Sequence, residues 1–113
     1  MNICSNEHMD SSSQKTQNHI PPIEELQQMG EFLKILSDPT RLKILYALSL
    51  GELRVCDLGA AAGCTASAVS HQLSVLRQAR LVAYRRDGKS AYYRLNDEHV
   101  ELVLDATRIH LAE

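Results

Sequence analysis

The feature that most constrains the fold is a change in the spacing of apolar residues along the chain. Over residues 23–79 they recur at intervals of three and four, as on one face of a helix. Two strand-length segments follow, 81–86 and 90–95, and they flank Asp87-Gly88, a dipeptide typical of hairpin turns. Helical spacing then returns to the end of the chain. The pattern predicts a helical protein with one inserted β-hairpin.

Caps and breakers divide the helical part into five predicted helices. Ser37 or Asp38 can cap a helix with Pro39 at its first position, Gly63 can close a short helix, and Thr65 or Ser67 can cap the next. The predicted helices cover 23–36, 39–50, 55–62, a segment from this cap to 79, and 96 onward. Two short helices joined by a glycine-containing turn resemble a helix-turn-helix. With the hairpin, the predicted fold is mainly α: a winged helix-turn-helix.

The overall composition limits the class of protein. A chain of 113 residues suits one small domain. Residues 1–19 are polar, and Pro21-Pro22 follows, so we predict a flexible tail over 1–22 and the folded domain over 23–113. No apolar run approaches the roughly 20 residues of a membrane span, and no signal peptide is visible, which favours a cytoplasmic protein that contacts no membrane. Three cysteines do not suggest a disulfide framework.

Positive charge is concentrated in one part of the chain. The net charge is −2, but residues 65–94 contain six basic residues and one acidic residue, which gives +5 there and −7 elsewhere. The basic residues are Arg77, Arg80, Arg85, Arg86, Lys89 and Arg94. A basic face on an acidic body is typical of DNA-binding elements. A solvated, charged hairpin is the alternative that charge alone leaves open.

The helix that starts near residue 65 has the composition of a major-groove reader. Small residues at its start permit close approach to a duplex, and its polar side chains can bond base edges and phosphates. The candidate DNA contacts in this helix are Thr65, Ser67, Ser70, His71, Gln72 and Arg77. Arg85, Arg86 and Lys89 surround the hairpin turn and would form a wing that grips phosphate or enters the minor groove. The predicted partner is double-stranded DNA.

Four potential metal ligands lie at the two ends of the last predicted helix: Asp97, His99, His110 and Glu113. The separation of 11 positions from His99 to His110 spans about 16 Å and nearly three turns, so both lie on one face but cannot share one ion. Each end offers half of a tetrahedral site. Two such helices, antiparallel about a two-fold axis, would complete both sites and predict a dimer with two interfacial metals. An ordinary cap at Asp97 and a histidine favoured by the negative helix end are the alternative interpretation.

The chain resembles the ArsR/SmtB metal-sensing transcriptional repressors over residues 24–113. The resemblance rests on LSDPTRL at 36–42, ELRVCDL at 52–58, AVSHQL at 68–73 and GKSAYY at 88–93, together with the four ligands above. It implies a homodimer that holds operator DNA when metal-free and releases it on binding metal. It also implies that Asp97 and His99 of one protomer bind zinc together with His110 and Glu113 of the other. The dimer would hold two zinc ions, and cadmium or cobalt are the alternative metals.

The resemblance implies a route from the metal to the DNA-reading elements. In the family, the second metal histidine donates its other ring N–H to a backbone carbonyl near the start of the wing. Arg80 occupies the matching position here. Such a hydrogen bond orients the ligand and connects it to its surroundings.

The resemblance also implies a second, thiol-containing metal site. Family sensors of softer ions such as cadmium, lead or arsenite use a Cys-Val-Cys segment, but Arg54 replaces the first cysteine here. Cys56 and Asp57, joined by Cys4 and His8 from the tail, would form the site, with Cys64 as a spare thiol. Thiolates favour cadmium, lead or zinc. Small, buried cysteines beside a disordered tail are the alternative.

No catalytic constellation or phosphate-cradling loop is visible, so we predict neither an enzyme nor an organic substrate. Two other functions remain open. One is a repressor of the same fold that senses thiol oxidation or persulfide through Cys56 with Cys64 or Cys4. The other is a metal-buffering protein that binds no operator.

Overall fold

The computed structural model describes residues 11–113, which fall into two units divided between Glu31 and Phe32. The first unit contains α1 (Ser11–His19) and the start of α2 (Ile23–Leu36). With α1, the part of the chain that the structure describes has six helices rather than the predicted five. Helix α1 buries no residue and is supported locally, because the Thr16 hydroxyl donates to the Ser12 carbonyl at 3.0 Å. A helix without a buried face lacks the regular spacing of apolar residues by which a helix is predicted from sequence.

The second unit contains the predicted winged helix-turn-helix. Its elements are α3 (Pro39–Ser49), β1 (Leu53–Arg54), α4 (Val55–Ala62), α5 (Ala66–Gln78), β2 (Val82–Asp87), β3 (Ser90–Leu95) and α6 (Glu98–Ala112). Apart from α1, each helix matches its prediction to within one or two residues. Among the residues described, no helix has the length and apolar character needed to cross a membrane.

Local chemistry fixes the helix ends. The Asp38 carboxylate caps α3, and Pro39 occupies the first turn. Gly63 ends α4 with a φ of 69°, a left-handed conformation that glycine adopts without steric cost. The Thr65 hydroxyl accepts a hydrogen bond of 3.1 Å from the Ala68 N–H and begins α5. Gly63 and Thr65 thus set where the predicted DNA-reading helix starts.

The turn between α4 and α5 brings two backbone segments together at Gly59. A Cβ atom at Gly59 would lie 2.9 Å from the Cys64 carbonyl oxygen, closer than side chains tolerate. Glycine is therefore required here by packing, since the backbone of the turn occupies the space of a side chain.

The three-stranded antiparallel sheet has the order β1-β3-β2. The pairing of Leu53 with Tyr93 adds the short strand β1, which the sequence did not predict. Asp87 pairs with Ser90, so the hairpin loop is Gly88-Lys89, one residue later than predicted. Gly88 has a φ of 65°, which suits the first central position of a two-residue loop. The wing is defined here as β2, β3 and this loop.

The core of the second unit consists of aliphatic side chains, which come from most of its helices and strands. Its largest fully buried side chains are Ile44, Leu45, Leu58, Val69, Leu73, Leu76 and Leu81. Val100 and Leu104 of α6 are also buried. The other faces of α5, the wing and α6 carry the candidate functional residues.

Candidate metal centre and nucleic-acid interface

Two of the predicted metal ligands lie side by side at the start of α6. Asp97 is the N-cap, and its Oδ1 accepts a hydrogen bond of 2.9 Å from the backbone N–H of His99. The same oxygen lies 3.3 Å from Nδ1 of the His99 ring. Both residues are exposed. One carboxylate and one imidazole thus face solvent together.

The other two predicted ligands lie at the end of the same helix. His110 is in the last turn of α6, and Glu113 follows as its C-cap, with its N–H donating to the His110 carbonyl at 3.4 Å. Both side chains are exposed. No three His, Cys, Asp or Glu residues gather around a possible metal position within residues 11–113 of one chain. Each end of α6 therefore offers at most two of these donors.

The residues of the predicted thiol site are only partly within the described range. Cys56 is exposed in the first turn of α4, and its Sγ lies 3.9 Å from Oδ1 of Asp57. Asp57 also accepts a hydrogen bond of 3.1 Å from Arg54, which raises the pKa of that guanidinium. Cys64 is half-buried, with its Sγ 3.5 Å from the Ala62 carbonyl oxygen. Cys4 and His8 lie outside the described residues.

The predicted DNA contacts of α5 differ in their surroundings. Ser67, Ser70 and His71 are exposed. Thr65 is exposed too, but its hydroxyl caps the helix. Gln72 is half-buried, and its Oε1 accepts a hydrogen bond of 2.8 Å from Nε of Arg41. Arg41 was not among the sequence-predicted site residues.

The wing arginines are also held differently from one another. The Arg85 guanidinium binds the Glu52 carboxylate at 2.9 Å and lies 4.8 Å from the ring centre of Tyr92. This contact lowers the pKa of Glu52 and raises that of Arg85, so both groups stay charged at neutral pH. Arg86 is exposed beside the loop and Lys89 is exposed within it, although the Arg86 guanidinium lies 6.0 Å from the ring of Tyr84.

The corner between α5 and the wing is a defined backbone structure. Arg80 has a φ of 62°, which is uncommon for a residue other than glycine, and its N–H donates to the Arg77 carbonyl at 3.0 Å. Arg77 stacks 4.6 Å from the ring centre of Tyr84. Together with Asn96 these residues line an open cavity of about 390 Å³. The predicted relay position therefore joins the reading helix directly to the wing.

Comparison with known proteins decides the family. The sequence profile of the bacterial regulatory protein arsR family matches residues 38–84. A transcriptional repressor SmtB homolog from Synechocystis sp. is 43% identical over 119 residues, covering 97% of this chain and 90% of that protein. The chain belongs to the ArsR/SmtB family.

Other relatives of this ArsR/SmtB protein agree in fold and class. A cadmium resistance transcriptional regulatory protein CadC homolog from Staphylococcus aureus is 41% identical over 86 residues, covering 75% of this chain and 71% of that protein. The homodimeric winged helix-turn-helix DNA-binding domain of a possible ArsR-family regulator from Mycobacterium bovis has a TM-score of 0.74 and 31% identity, covering 80% of this chain and 84% of that one. The ArsR/SmtB protein is thus a winged helix-turn-helix member of a family of metal-sensing transcriptional repressors.

Proposed function

We propose that this chain is a homodimeric, zinc-responsive repressor. The metal-free dimer binds operator DNA, and zinc at two interfacial sites lowers that affinity, which derepresses genes for metal efflux or sequestration. The observation that carries the proposal is the distribution of donors on α6. Asp97 lies beside His99 at one end, while His110 and Glu113 occupy the other, so a second copy must supply the remaining ligands.

The donor set suits zinc. Imidazole nitrogen and carboxylate oxygen are ordinary zinc ligands, and four protein ligands make a closed tetrahedral site. A closed site has no free position for substrate, which fits sensing rather than hydrolysis. The same ligands accept cobalt or cadmium, since a set of nitrogen and oxygen donors binds several divalent metals and only geometry, donor type and metal supply select among them.

Exposed apolar side chains support the homodimer. Leu26, Met29 and Leu33 of α2 are between 37% and 55% exposed, although they follow helical spacing. Leu102 and Ile109 of α6 are more than 60% exposed. Side chains of this kind gain free energy when a second surface covers them. The homodimeric relative from Mycobacterium bovis supports the same assembly.

We assign the coupling between metal and DNA to the end of α5. His110 would donate its other ring N–H to the Arg80 carbonyl once the first ring nitrogen binds metal, as the family resemblance implies. Arg80 adjoins both the reading helix and the wing, so a change there alters the placement of both. The change in DNA affinity on metal binding then measures a coupling free energy between the two sites.

A titration of DNA binding separates this proposal from the alternatives. A duplex selected with the purified metal-free protein is titrated with zinc, with cadmium and with a thiol oxidant. Release by zinc supports the proposal. Release by the oxidant alone supports a thiol repressor, for which Cys56 is the exposed candidate. Failure to select or bind any duplex at low salt supports metal buffering and contradicts a repressor.

The two wing arginines are expected to differ in their contribution to DNA binding. Arg86→Ala should reduce the dependence of log affinity on log salt by about one, because one phosphate contact is lost. Arg85→Ala should reduce it less, since Glu52 already neutralises that guanidinium. Binding is measured by fluorescence anisotropy at several salt concentrations. An unchanged salt dependence in both variants would remove the wing from the interface.

Deleting Glu113 is expected to weaken zinc binding less than replacing His110. Glu113 is the exposed C-cap of α6, so water can take the position of its carboxylate at small cost, whereas His110→Ala removes an imidazole that the last turn of the helix holds in place. Glu113→Gln should likewise retain a measurable three-ligand site. Zinc affinity is measured by competition with a chelator of known affinity. Equal and complete loss in the deletion and in His110→Ala would show that Glu113 is indispensable.

A further inference from the structure

The hydrogen bond between Arg41 and Gln72 fixes the orientation of an amide on the DNA-reading helix. A guanidinium has only donors, so the atom of Gln72 that meets Nε of Arg41 at 2.8 Å must be the oxygen. The amide nitrogen of Gln72 has no partner within residues 11–113, and it is not among the buried unsatisfied atoms, so it reaches solvent. Gln72 therefore presents its NH₂ group outward.

Arg41 is itself held in place. Its backbone N–H donates to the Asp38 carboxylate at 3.0 Å, and its Nη1 donates to the Ile35 carbonyl at 3.3 Å. Arg41 is half-buried, and it lies 31 positions before Gln72 in the sequence. The contact thus ties α5 to the start of α3 and leaves the amide of Gln72 little freedom to rotate.

The engaged oxygen changes which base edge Gln72 can read. A free glutamine pairs with adenine through two hydrogen bonds, because its oxygen accepts from N6 and its nitrogen donates to N7. Arg41 takes one of the two lone pairs of that oxygen and draws the oxygen toward α3, which leaves the NH₂ group as the part of the amide that faces solvent. In the major groove, guanine offers two acceptors, O6 and N7, and no donor. An amide that presents its donor outward therefore suits guanine better than adenine.

We propose that Arg41 is a specificity-determining positioning residue, which holds the oxygen of Gln72 so that the amide selects guanine over adenine. The inference rests on the proposed function, because it assumes that the protein binds operator DNA through α5. Arg41 acts through Gln72 and not by contacting the base.

The test is selection of bound duplexes from a randomised library by the purified full chain without metal. The wild-type protein should enrich guanine at one position, and Gln72→Ala should lose that preference. Arg41→Leu frees the oxygen, so the ratio of adenine to guanine at that position should rise by about tenfold, or about 1.4 kcal/mol. Adding Arg41→Leu to Gln72→Ala should change nothing further there.

A second variant keeps the test independent of the other bonds of Arg41. Gln72→Glu retains an acceptor for Arg41 but turns a carboxylate oxygen toward the groove, so cytosine, whose N4 is a donor, should replace guanine. Lys43→Leu controls for the lost positive charge, and Gln78→Glu controls for a new carboxylate on α5; both residues are exposed and should keep the wild-type preference.

The outcomes distinguish the two proposals. If the wild-type protein enriches no sequence, operator binding fails and this inference fails with it. If it enriches a sequence but prefers adenine at the Gln72-dependent position, the inference alone is wrong. The same holds if Arg41→Leu and Gln72→Glu both keep the wild-type base preference.

Discussion

Replacing His99 or His110 with alanine is expected to lower zinc affinity by on the order of 100-fold or more while leaving metal-free DNA binding intact. Removing a partner that only orients a ligand costs 10–100-fold, so losing the ligand itself should cost at least as much. Both side chains are exposed, and neither belongs to the aliphatic core. The loss should therefore fall on metal binding and not on folding.

The measurement combines zinc affinity with zinc-driven release of DNA. His19→Ala is the matched control, because His19 is also exposed near the end of a helix but has no predicted ligand role. It should bind and respond to zinc like the wild-type protein. A His99 or His110 variant that still releases DNA at wild-type zinc concentrations would exclude these residues from the regulatory site.

Leu45→Ala is expected to lower the free energy of unfolding by about 2–5 kcal/mol, as buried leucine truncations do. Leu45 is 0% exposed in the core of the second unit, so its removal leaves a cavity that neighbouring side chains fill only in part. Leu50→Ala is the matched control, because the same side chain is removed from a position that is 89% exposed. Leu50→Ala should change stability by about 0.5 kcal/mol or less.

Urea unfolding followed by circular dichroism measures both variants. The protein concentration must be equal in every experiment, because a dimer gains stability with concentration. A change in the midpoint without a change in slope assigns the effect to stability. If both substitutions cost the same, the packing of α3 assigned here is wrong.

The sequence predicted those parts of the fold that depend on local chemistry. Three helix ends were predicted from the geometry of a single turn: at Asp38 with Pro39, at Gly63 and at Thr65. The structure places helix ends at these residues. The two strands on either side of Gly88 are equally predictable, because a short turn brings neighbouring segments together. The family was identifiable for the same reason, since its motifs are short runs of consecutive residues.

Contacts between distant parts of the chain could not be predicted in this way. Glu52 and Arg85 are 33 residues apart, and nothing in the spacing around either indicates that they pair. Strand β1 has two residues, and it exists because Leu53 meets Tyr93 across the sheet. The ligand pairs on α6 were predicted as positions on a helix. Their assembly across two chains remains a proposal because a second copy must supply half of each site.

The double engagement of Asp97 would give a metal bound at the proposed site a role in folding. One carboxylate oxygen both caps α6 and lies against the His99 ring, so the cap that begins the helix also brings together half of the proposed site. A metal that binds only the folded protein stabilises it by about 2.7 kcal/mol when its free concentration is 100 times Kd. Chelation would then act as a mild denaturant, and the melting temperature of the protein would record the free zinc concentration without any DNA present.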